Sequence, residues 1–203
     1  MAVLAINPTR NELLKLKTRL KSVTRGHKLL KDKQDGLIQK FLEIVRRAKE
    51  LRSEAEKKLG DAFTRQVFAS STNFSALTEV ALAIPTARTS LSVEERNVMS
   101  VRVPEFSIST EGDWKCFGFA HTSGELDAAL AKFAEALPLL LEMAGVEKAA
   151  ENLAWEIETT RRRVNALEHR IIVDLQDTIR FISLKMDEAD RAALVSILRL
   201  QKK

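Results

Sequence analysis

The stretch NELLKLKTRLKSVTRGHKLLKDKQDGLIQKFLEIVRRAKELRSEA, residues 11–55, decides the fold class. Mostly apolar side chains return in it at alternating intervals of three and four residues, which places them on one face of a helix. A seam sustained over this length is typical of a helix that supercoils with a partner helix. The seam positions are Leu13, Leu16, Leu20, Val23, His27, Leu30, Gln34, Leu37, Phe41, Ile44, Ala48, Leu51 and Ala55.

A second periodic stretch occupies the C-terminal part of the chain. Around Ile171 two successive intervals are of four residues, a stutter that predicts local unwinding of the supercoil. Two such arms, separated by a substantial middle, can return antiparallel. The positions of the second seam are Ala150, Leu153, Ile157, Thr160, Val164, Leu167, Ile171, Leu175, Thr178, Ile182, Lys185, Ala189 and Ala192.

The middle of the chain is more broken, because most of the 7 Gly and 4 Pro lie between Gly60 and Gly145. Alternating apolar and polar residues at 90–94 and 98–103, with Asn97 between them, predict a β-hairpin that Pro104 ends. The predicted fold is therefore mainly α, a long antiparallel coiled-coil hairpin of N- and C-terminal helices around a small middle region that contains a short β-hairpin. The predicted segments are 1–60, 61–145 and 146–203.

Capping signals mark two helix starts. Thr9 is followed three residues later by Glu12, and Thr122 by Glu125. In each pair the hydroxyl and the carboxylate can accept hydrogen bonds from backbone N–H groups that the first helical turn leaves unpaired. The sequence therefore predicts helices that begin at these two sites.

Composition limits the kind of protein. Aromatic residues make up only 5%, with no Tyr, which suits long helices better than a wide core. The single cysteine, Cys116, excludes an intramolecular disulfide, and no apolar run approaches the roughly 20 residues of a membrane span. No secretory signal is evident, so we expect a cytoplasmic protein. No acid, base, nucleophile or metal-ligand set converges, so we expect no catalysis and no cofactor.

Charge is unevenly distributed along the chain. Residues 1–60 carry 16 basic and 7 acidic side chains, whereas residues 61–145 carry 6 and 11. A basic helix can meet nucleic acid, an anionic membrane or an acidic protein surface. Nucleic acid is disfavoured because no aromatic residue interleaves the basic cluster to stack on bases. The cluster, which extends to Lys31 and Lys33, is either a solvated coiled-coil face or a partner-binding surface. Its candidate partner-binding residues are Lys15, Lys17, Arg19, Lys21, Arg25 and Lys28.

A second basic cluster consists of Arg161, Arg162 and Arg163. Consecutive helix residues point about 100° apart, so these three cannot serve one small anion site and form a band instead. Exposure with local pairing to Glu158 or Glu168 and contact with a partner are equally open.

Polar residues interrupt both seams. An antiparallel pairing that sets His27 opposite Lys185 and Gln34 opposite Thr178 brings these four together as a polar layer. Such a layer lowers stability but fixes the register of a coiled coil, which is favoured over a catalytic use.

Three parts of the sequence resemble the D subunit of V-type and A-type ATPases, in the right order and over nearly the whole chain. Gln34 stands where members of that family commonly carry Arg. The matching stretches are NPTR at 7–10, LLKLKTRL at 13–20, GHKLLKDKQDGL at 26–37, ERNVM at 95–99 with Val101 and VP at 103–104, ETTRRRVNALE at 158–168 and IRFI at 179–182.

The resemblance implies a central rotor component of bacterial or archaeal type, since the longer C-terminal tail of eukaryotic members is not seen. The paired arms are then expected to insert into a head of catalytic A and non-catalytic B subunits. The middle is expected to bind the F subunit and the funnel-shaped subunit that joins the shaft to the membrane rotor ring. That role places the chain at the cytoplasmic face of a membrane, without insertion into it. The alternative is a coiled-coil scaffold or adaptor without ATPase partners.

Overall fold

The computed structural model describes residues 6–83, 86–114, 117–118 and 122–201. Long helices dominate, with one two-stranded antiparallel sheet between them in the chain, so the predicted mainly α class is confirmed. The elements are α1 (Arg10–Thr72), α2 (Ser75–Leu82), β1 (Arg88–Val98), β2 (Val101–Glu111), α3 (Gly124–Ala166), a π-helical turn (Leu167–Ile171) and α4 (Ile172–Gln201).

Residue contacts divide the chain into two compact units. The terminal unit consists of Met1–Leu37 and Ile157–Lys203, and the central unit is Ile38–Glu156. Both boundaries fall inside long helices. The predicted segment boundaries at 60 and 145 rest on Gly and Pro content, and they remain a prediction.

The terminal unit is an antiparallel helix pair with an aliphatic seam. Its core joins Leu16 of α1 to Leu175 and Ile182 of α4. Every predicted seam position of α1 is buried or half-buried, as the three-four spacing predicts. The residues that pack around this core are Ile6, Leu13, Leu20, Val23, Ile179 and Met186.

The register of this pair differs from the predicted one. Arg10 Nη2 lies 3.6 Å from Asp190 Oδ2, and His27 Nε2 lies 3.4 Å from Glu168 Oε2. His27 therefore faces Glu168 and not Lys185, so the predicted pairing is wrong. Heptad spacing fixes which face of each helix is buried, but every shift by one heptad satisfies it equally well.

A π-helical turn occupies the stutter in the second seam. The N–H of Ile172 bonds to the carbonyl of Leu167, five residues back, so the turn holds one residue more than an α-turn. The sequence predicts the position of this irregularity. The chain accommodates it by widening the helix there. Ile171, predicted to lie on the seam, is exposed as a consequence of the local change in phase.

Alanines recur on the buried faces of the central unit, together with the fully buried Leu51, Leu126 and Leu153. Its two long helices bury Ala62 and Ala69 from α1 and Ala129, Ala136 and Ala149 from α3. Larger contacts flank this row: Phe63 and Phe133 meet edge to face at 5.4 Å, and Arg47 Nη2 donates to Glu142 Oε1 at 2.9 Å.

The β-hairpin is longer than the sequence suggests. Each strand has 11 residues, and the turn lies at Met99 and Ser100, whose φ angles of 52° and 70° are positive. Two residues with positive φ are typical of the type I′ turn, whose twist matches that of the strands. Pro104 does not end the hairpin. It lies within β2 opposite Glu95, a position that an outer strand tolerates.

Two contacts fix the hairpin to α3. Phe106 lies against Gly145, where an added Cβ atom would be 3.2 Å from the ring. Near the turn, Asn152 Nδ2 donates to the carbonyl of Arg102 at 3.0 Å. The absence of a side chain at Gly145 thus allows close approach at one end, and a hydrogen bond holds the other.

One of the two predicted capping boxes forms in its hydroxyl half only, because the backbone N–H of Thr9 donates to the carbonyl of Asn7 and the Glu12 carboxylate pairs with Lys15. The backbone N–H of Glu12 donates to Thr9 Oγ1 at 3.3 Å, and α1 begins at the next residue, Arg10. The predicted cap at Thr122 is wrong, because α3 begins at Gly124 and Thr122 Oγ1 instead donates to the carbonyl of Gly118. A helix start one residue later places Ser123 at the capping position.

Replacing Ile182 with Ala should lower the free energy of unfolding by about 2–5 kcal/mol, because it leaves a cavity in the seam core. Urea unfolding followed by far-ultraviolet circular dichroism measures this loss. The matched control is Leu184→Ala on the exposed face of the same helix, which should change stability by less than about 0.5 kcal/mol. Equal effects of the two substitutions would contradict the assigned packing.

The double substitution Met99→Asn and Ser100→Gly should stabilise the hairpin by about 1 kcal/mol or more, because both residues then suit positive φ. Slower amide hydrogen exchange in β1 and β2 is the expected signal. Asn97→Ala, which removes the Oδ1 acceptor of the Ser100 N–H, should act in the opposite direction. Faster exchange in the double variant would show that the turn is not of this type.

Candidate partner-binding surface

The basic residues of α1 lie on its exposed surface. Lys17, Lys21, Arg25 and Lys28 follow one another at intervals of four, four and three, so they form one row along the helix. Lys15 and Arg19 lie on the other flank of the helix, with the seam between them and that row, because successive residues point about 100° apart. Lys15 Nζ is paired with Glu12 Oε1 at 2.7 Å. The row faces away from the seam, so it is available to a partner.

The three consecutive arginines also lie on the surface, at the end of α3. All three are exposed, whereas Thr160 and Val164 on either side of them are buried. Arg162 pairs with Glu158 one turn earlier, which is one of the two local pairings considered from the sequence. The three guanidinium groups point in different directions around the helix and so form a band.

The two units differ in charge. The terminal unit carries 19 Lys and Arg against 10 Asp and Glu, a net charge of +9. The central unit carries 14 against 18, a net charge of −4. The candidate basic residues all belong to the terminal unit, so it can attract an acidic surface.

The predicted polar layer is only partly present. The His27 side chain is 17% exposed and faces Glu168 at 3.4 Å, without the alignment of a hydrogen bond. Thr178 is fully buried, and its hydroxyl donates to the carbonyl of Asp174 at 2.6 Å. Lys185 does not face inward. Its side chain is 52% exposed and pairs with Glu188, while Met186 packs on the core.

Gln34 is half-buried on α1, as its seam position predicts. Its predicted partner, Thr178, is buried on α4, and the Thr178 hydroxyl donates to the carbonyl of Asp174 in the same helix.

Two exposed apolar surfaces were missed from the sequence. On α4 every residue from 187 to 201 is exposed, although the large apolar side chains Leu194, Val195, Ile197, Leu198 and Leu200 are among them. On the central unit the exposed large apolar residues include Phe63, Val67, Phe68, Phe74 and Val80. The sequence does carry a signal for the first surface, since apolar residues there occupy all sides of the helix and not one stripe.

The titration of the charged groups reflects surface pairing. The bond from Lys40 lowers the pKa of Glu43, and the bond from Lys132 lowers the pKa of Glu135. Glu142 raises the pKa of Arg47 in the same way. Each of these groups is held in its charged form, which is the form that supports a structural ion pair.

Among the residues described by the structure, no group of three or more His, Cys, Asp or Glu side chains could hold a metal ion. Cys116 and His121 lie outside those residues. In the described ranges we also find no helix with the length and apolar character needed to cross a membrane.

These features define a coiled-coil protein that presents charged and apolar surfaces for contact with other proteins. The family described as the D subunit of ATP synthase matches residues 12–202, and the chain belongs to that family. It is 47% identical to a V-type ATP synthase D subunit from Clostridium botulinum (strain Langeland / NCTC 10281 / Type F), over 98% of this chain and 94% of that protein. It is 44% identical to a V-type ATP synthase D subunit from Thermoanaerobacter sp. (strain X514), over 99% of this chain and 97% of that protein.

Family membership confirms the resemblance found in the sequence. It makes the chain a structural component of a V-type ATP synthase, and thus part of a membrane-associated complex with other subunits.

Proposed function

We propose that the chain is the central rotor shaft of the complex, which transmits torque between ATP hydrolysis or synthesis in the A/B head and proton or sodium translocation in the membrane rotor. It performs no chemistry of its own. The observation that carries the proposal is the antiparallel pairing of the two chain ends in the terminal unit. Two helices joined along a seam resist twisting better than one helix, and a shaft needs that stiffness.

The end of α4 supports insertion into the head. Because Arg10 starts α1 and faces Asp190, the residues after 190 run past the first turn of α1. Successive residues of a helix point about 100° apart, so the five apolar side chains between 194 and 200 cover all sides of this segment. Apolar surface of this extent is normally covered by a partner. Only a partner that surrounds the helix can cover apolar side chains on all of its sides. A ring of A and B subunits would surround the helix in this way.

The charges of the terminal unit support contact with the same head. Lys17, Lys21, Arg25 and Lys28 and the band at 161–163 are exposed in the unit of net charge +9. Acidic surfaces on successive A and B subunits can attract these groups in turn. Exposed ion pairs contribute little each, about 0–1 kcal/mol, so they guide rotation without locking the shaft at one angle.

The central unit supports contact with the remaining rotor subunits. Its exposed aromatic and aliphatic side chains, Phe63, Val67, Phe68, Phe74 and Val80, also require cover. In this proposal the F subunit and the funnel-shaped subunit provide it at the cytoplasmic face of the membrane. The different charge of this unit suits partners that differ from the head.

Co-expression with the A, B and F subunits of the same organism tests the proposal. We expect one copy of the chain in an A/B ring, a stable complex with F, and ATPase activity that depends on the chain. Size-exclusion chromatography with light scattering gives the copy number, and a coupled assay gives the activity. A chain that ignores all three subunits and forms a homodimer would instead support the scaffold alternative.

Charge reversal at the arginine band tests the contact with the head. The triple variant Arg161→Glu, Arg162→Glu and Arg163→Glu should lower the ATPase activity of the complex severalfold, because repulsion replaces attraction. Its melting temperature should change little, since all three side chains are exposed. The matched control, Arg52→Glu with Lys57→Glu and Lys58→Glu, changes three exposed charges of the central unit. Unchanged activity of the band variant would reject this role.

A further inference from the structure

The outer edge of β1 is open. The edge of a sheet carries backbone N–H and C=O groups that can pair with another strand, and proteins normally block it with proline, lysine, a bulge or a covering element. β1 contains no proline or lysine, and it pairs with β2 without a bulge from Arg88 to Val98. Every side chain from 88 to 97 is exposed. In the described part of the chain this edge therefore lacks all of these protections.

The outer edge of β2, in contrast, is protected. Pro104 has no backbone N–H to offer to a further strand. The carbonyl of Arg102 already accepts a hydrogen bond from Asn152, and Phe106 lies against Gly145 of α3. One edge of the same ribbon is thus blocked, and the other is left available to a partner.

Alternate residues of β1 direct their backbone groups to the open edge. In an antiparallel ladder, residue pairs that exchange hydrogen bonds alternate with pairs that do not. Pro104, which has no N–H to donate, lies opposite Glu95. The Arg102 carbonyl, which Asn152 uses, lies opposite Asn97. Both pairs are therefore of the kind without mutual hydrogen bonds, and so is every second pair along the ladder. The outward backbone groups of β1 belong to Thr89, Leu91, Val93, Glu95 and Asn97.

Apolar side chains beside the open edge indicate what kind of strand fits it. On one face of the hairpin, Leu91 and Val93 are 49% and 55% exposed. Their partners on β2, Ile108 and Phe106, are half-buried. A neighbouring strand with apolar residues at the facing positions would cover Leu91 and Val93, since side chains of adjacent strands pack in pairs.

The other face of the hairpin carries two carboxylates side by side. Glu94 lies directly opposite Glu105, and like charges in that arrangement lower the stability of a ladder. In the described part of the chain neither carboxylate forms an ion pair or a hydrogen bond, not even with Arg96, the next residue of β1 on that face. A Lys or Arg side chain beside Glu94 would offset the repulsion.

We propose that the outer edge of β1 binds an extended segment of another protein of the ATP synthase complex as a third strand. The segment carries apolar residues beside Leu91 and Val93 and a Lys or Arg beside Glu94. In such strand addition the backbone hydrogen bonds provide affinity and the alternating side chains provide specificity. The inference rests on membership of a complex with other subunits and not on rotation of the shaft.

Amide hydrogen exchange at single-residue resolution tests the third strand. In the free chain, the outward amides of Leu91, Val93 and Glu95 should exchange quickly. In the complete complex they should exchange about tenfold or more slowly, because each gains a hydrogen bond. Unchanged exchange in an intact complex would overturn the proposal. Protection that appears in the chain alone and rises with its concentration would assign the edge to a second copy, and it would overturn the proposal as well.

The substitution Val93→Pro removes one outward N–H and leaves the hydrogen bonds to β2 in place, since an outer strand tolerates proline at such a position. In the complex, the protection of the Leu91 and Glu95 amides should be lost. Val93→Ile, which keeps the N–H and the apolar side chain, is the matched control and should retain it. Retention of the protection in Val93→Pro would contradict strand addition.

Reversal of charge tests the basic residue of the segment and does not endanger folding. Glu94→Lys and Glu105→Lys should each stabilise the free hairpin, because a pair of opposite charges replaces a pair of like charges. Glu94 lies next to the open edge, whereas Glu105 is one strand farther away. We therefore expect Glu94→Lys to reduce the protection of the outward amides severalfold in the complex, and Glu105→Lys to leave it unchanged. Equal effects of the two substitutions would contradict a cation beside Glu94.

The proposed function and the third strand fail in different ways. If the native chain does not join the complex, both are wrong. If the chain joins the complex and supports its ATPase activity, but the outward amides of β1 exchange as in the free chain, the rotor function stands and the third strand is wrong.

Discussion

Burial of one narrow aliphatic seam holds the two ends of the chain together. Leu16, Leu175 and Ile182 are brought into contact although about 160 residues separate the first from the others along the chain. Each helix of the terminal unit can bury only one narrow face. If one pair of facing apolar side chains is lost, no wide core compensates for it. The charged surface, the register and the exposed end of α4 all depend on this alignment.

Because the seam is narrow, its irregularities are accommodated within each helix. The π-helical turn at Leu167–Ile171 absorbs the extra residue of the stutter, and Thr178 satisfies its hydroxyl by bonding to the carbonyl of Asp174. In the central unit alanines such as Ala62 and Ala129 are buried together with leucines such as Leu51 and Leu126, so small and large side chains fill the buried faces together.

The sequence predicts the faces of the helices better than their alignment. Three-four spacing identifies Leu13 to Ala55 as inward-facing, because burial directly selects for it. The register depends on which residues of the two helices lie opposite each other. The heptad repeat is satisfied equally well when one helix slides by seven residues, so it does not fix the register, and the predicted pairing of His27 with Lys185 is wrong. The predicted inward position of Lys185 is also wrong. The seam changes phase before this residue, and Met186 packs against the core in its place.

The hairpin illustrates a second limit. Alternation in β1 and β2 is visible, but the turn lies at Met99 and Ser100, and neither is the Gly or Asn that normally marks positive φ. A central strand excludes proline, which is why Pro104 predicts a strand end, whereas a two-stranded ribbon has only outer strands. In the candidate site the exposure of the basic residues follows from their position off the seam.

The charge difference between the units acts at short range. At physiological ionic strength the screening length is about 8 Å, so a net charge of +9 on one unit acts mainly on the surface that touches it. Contacts through exposed charges are weak one by one and form and break readily, which suits a surface that meets several subunits in turn. Burying apolar surface against a partner stabilises the complex by about 25 cal/mol for each Å². If the partner surrounds the helix, this stabilisation does not depend on the rotation angle. In the proposed rotor shaft, the terminal unit thus combines charges along its length with an apolar end, so that attraction can vary with angle while axial retention does not.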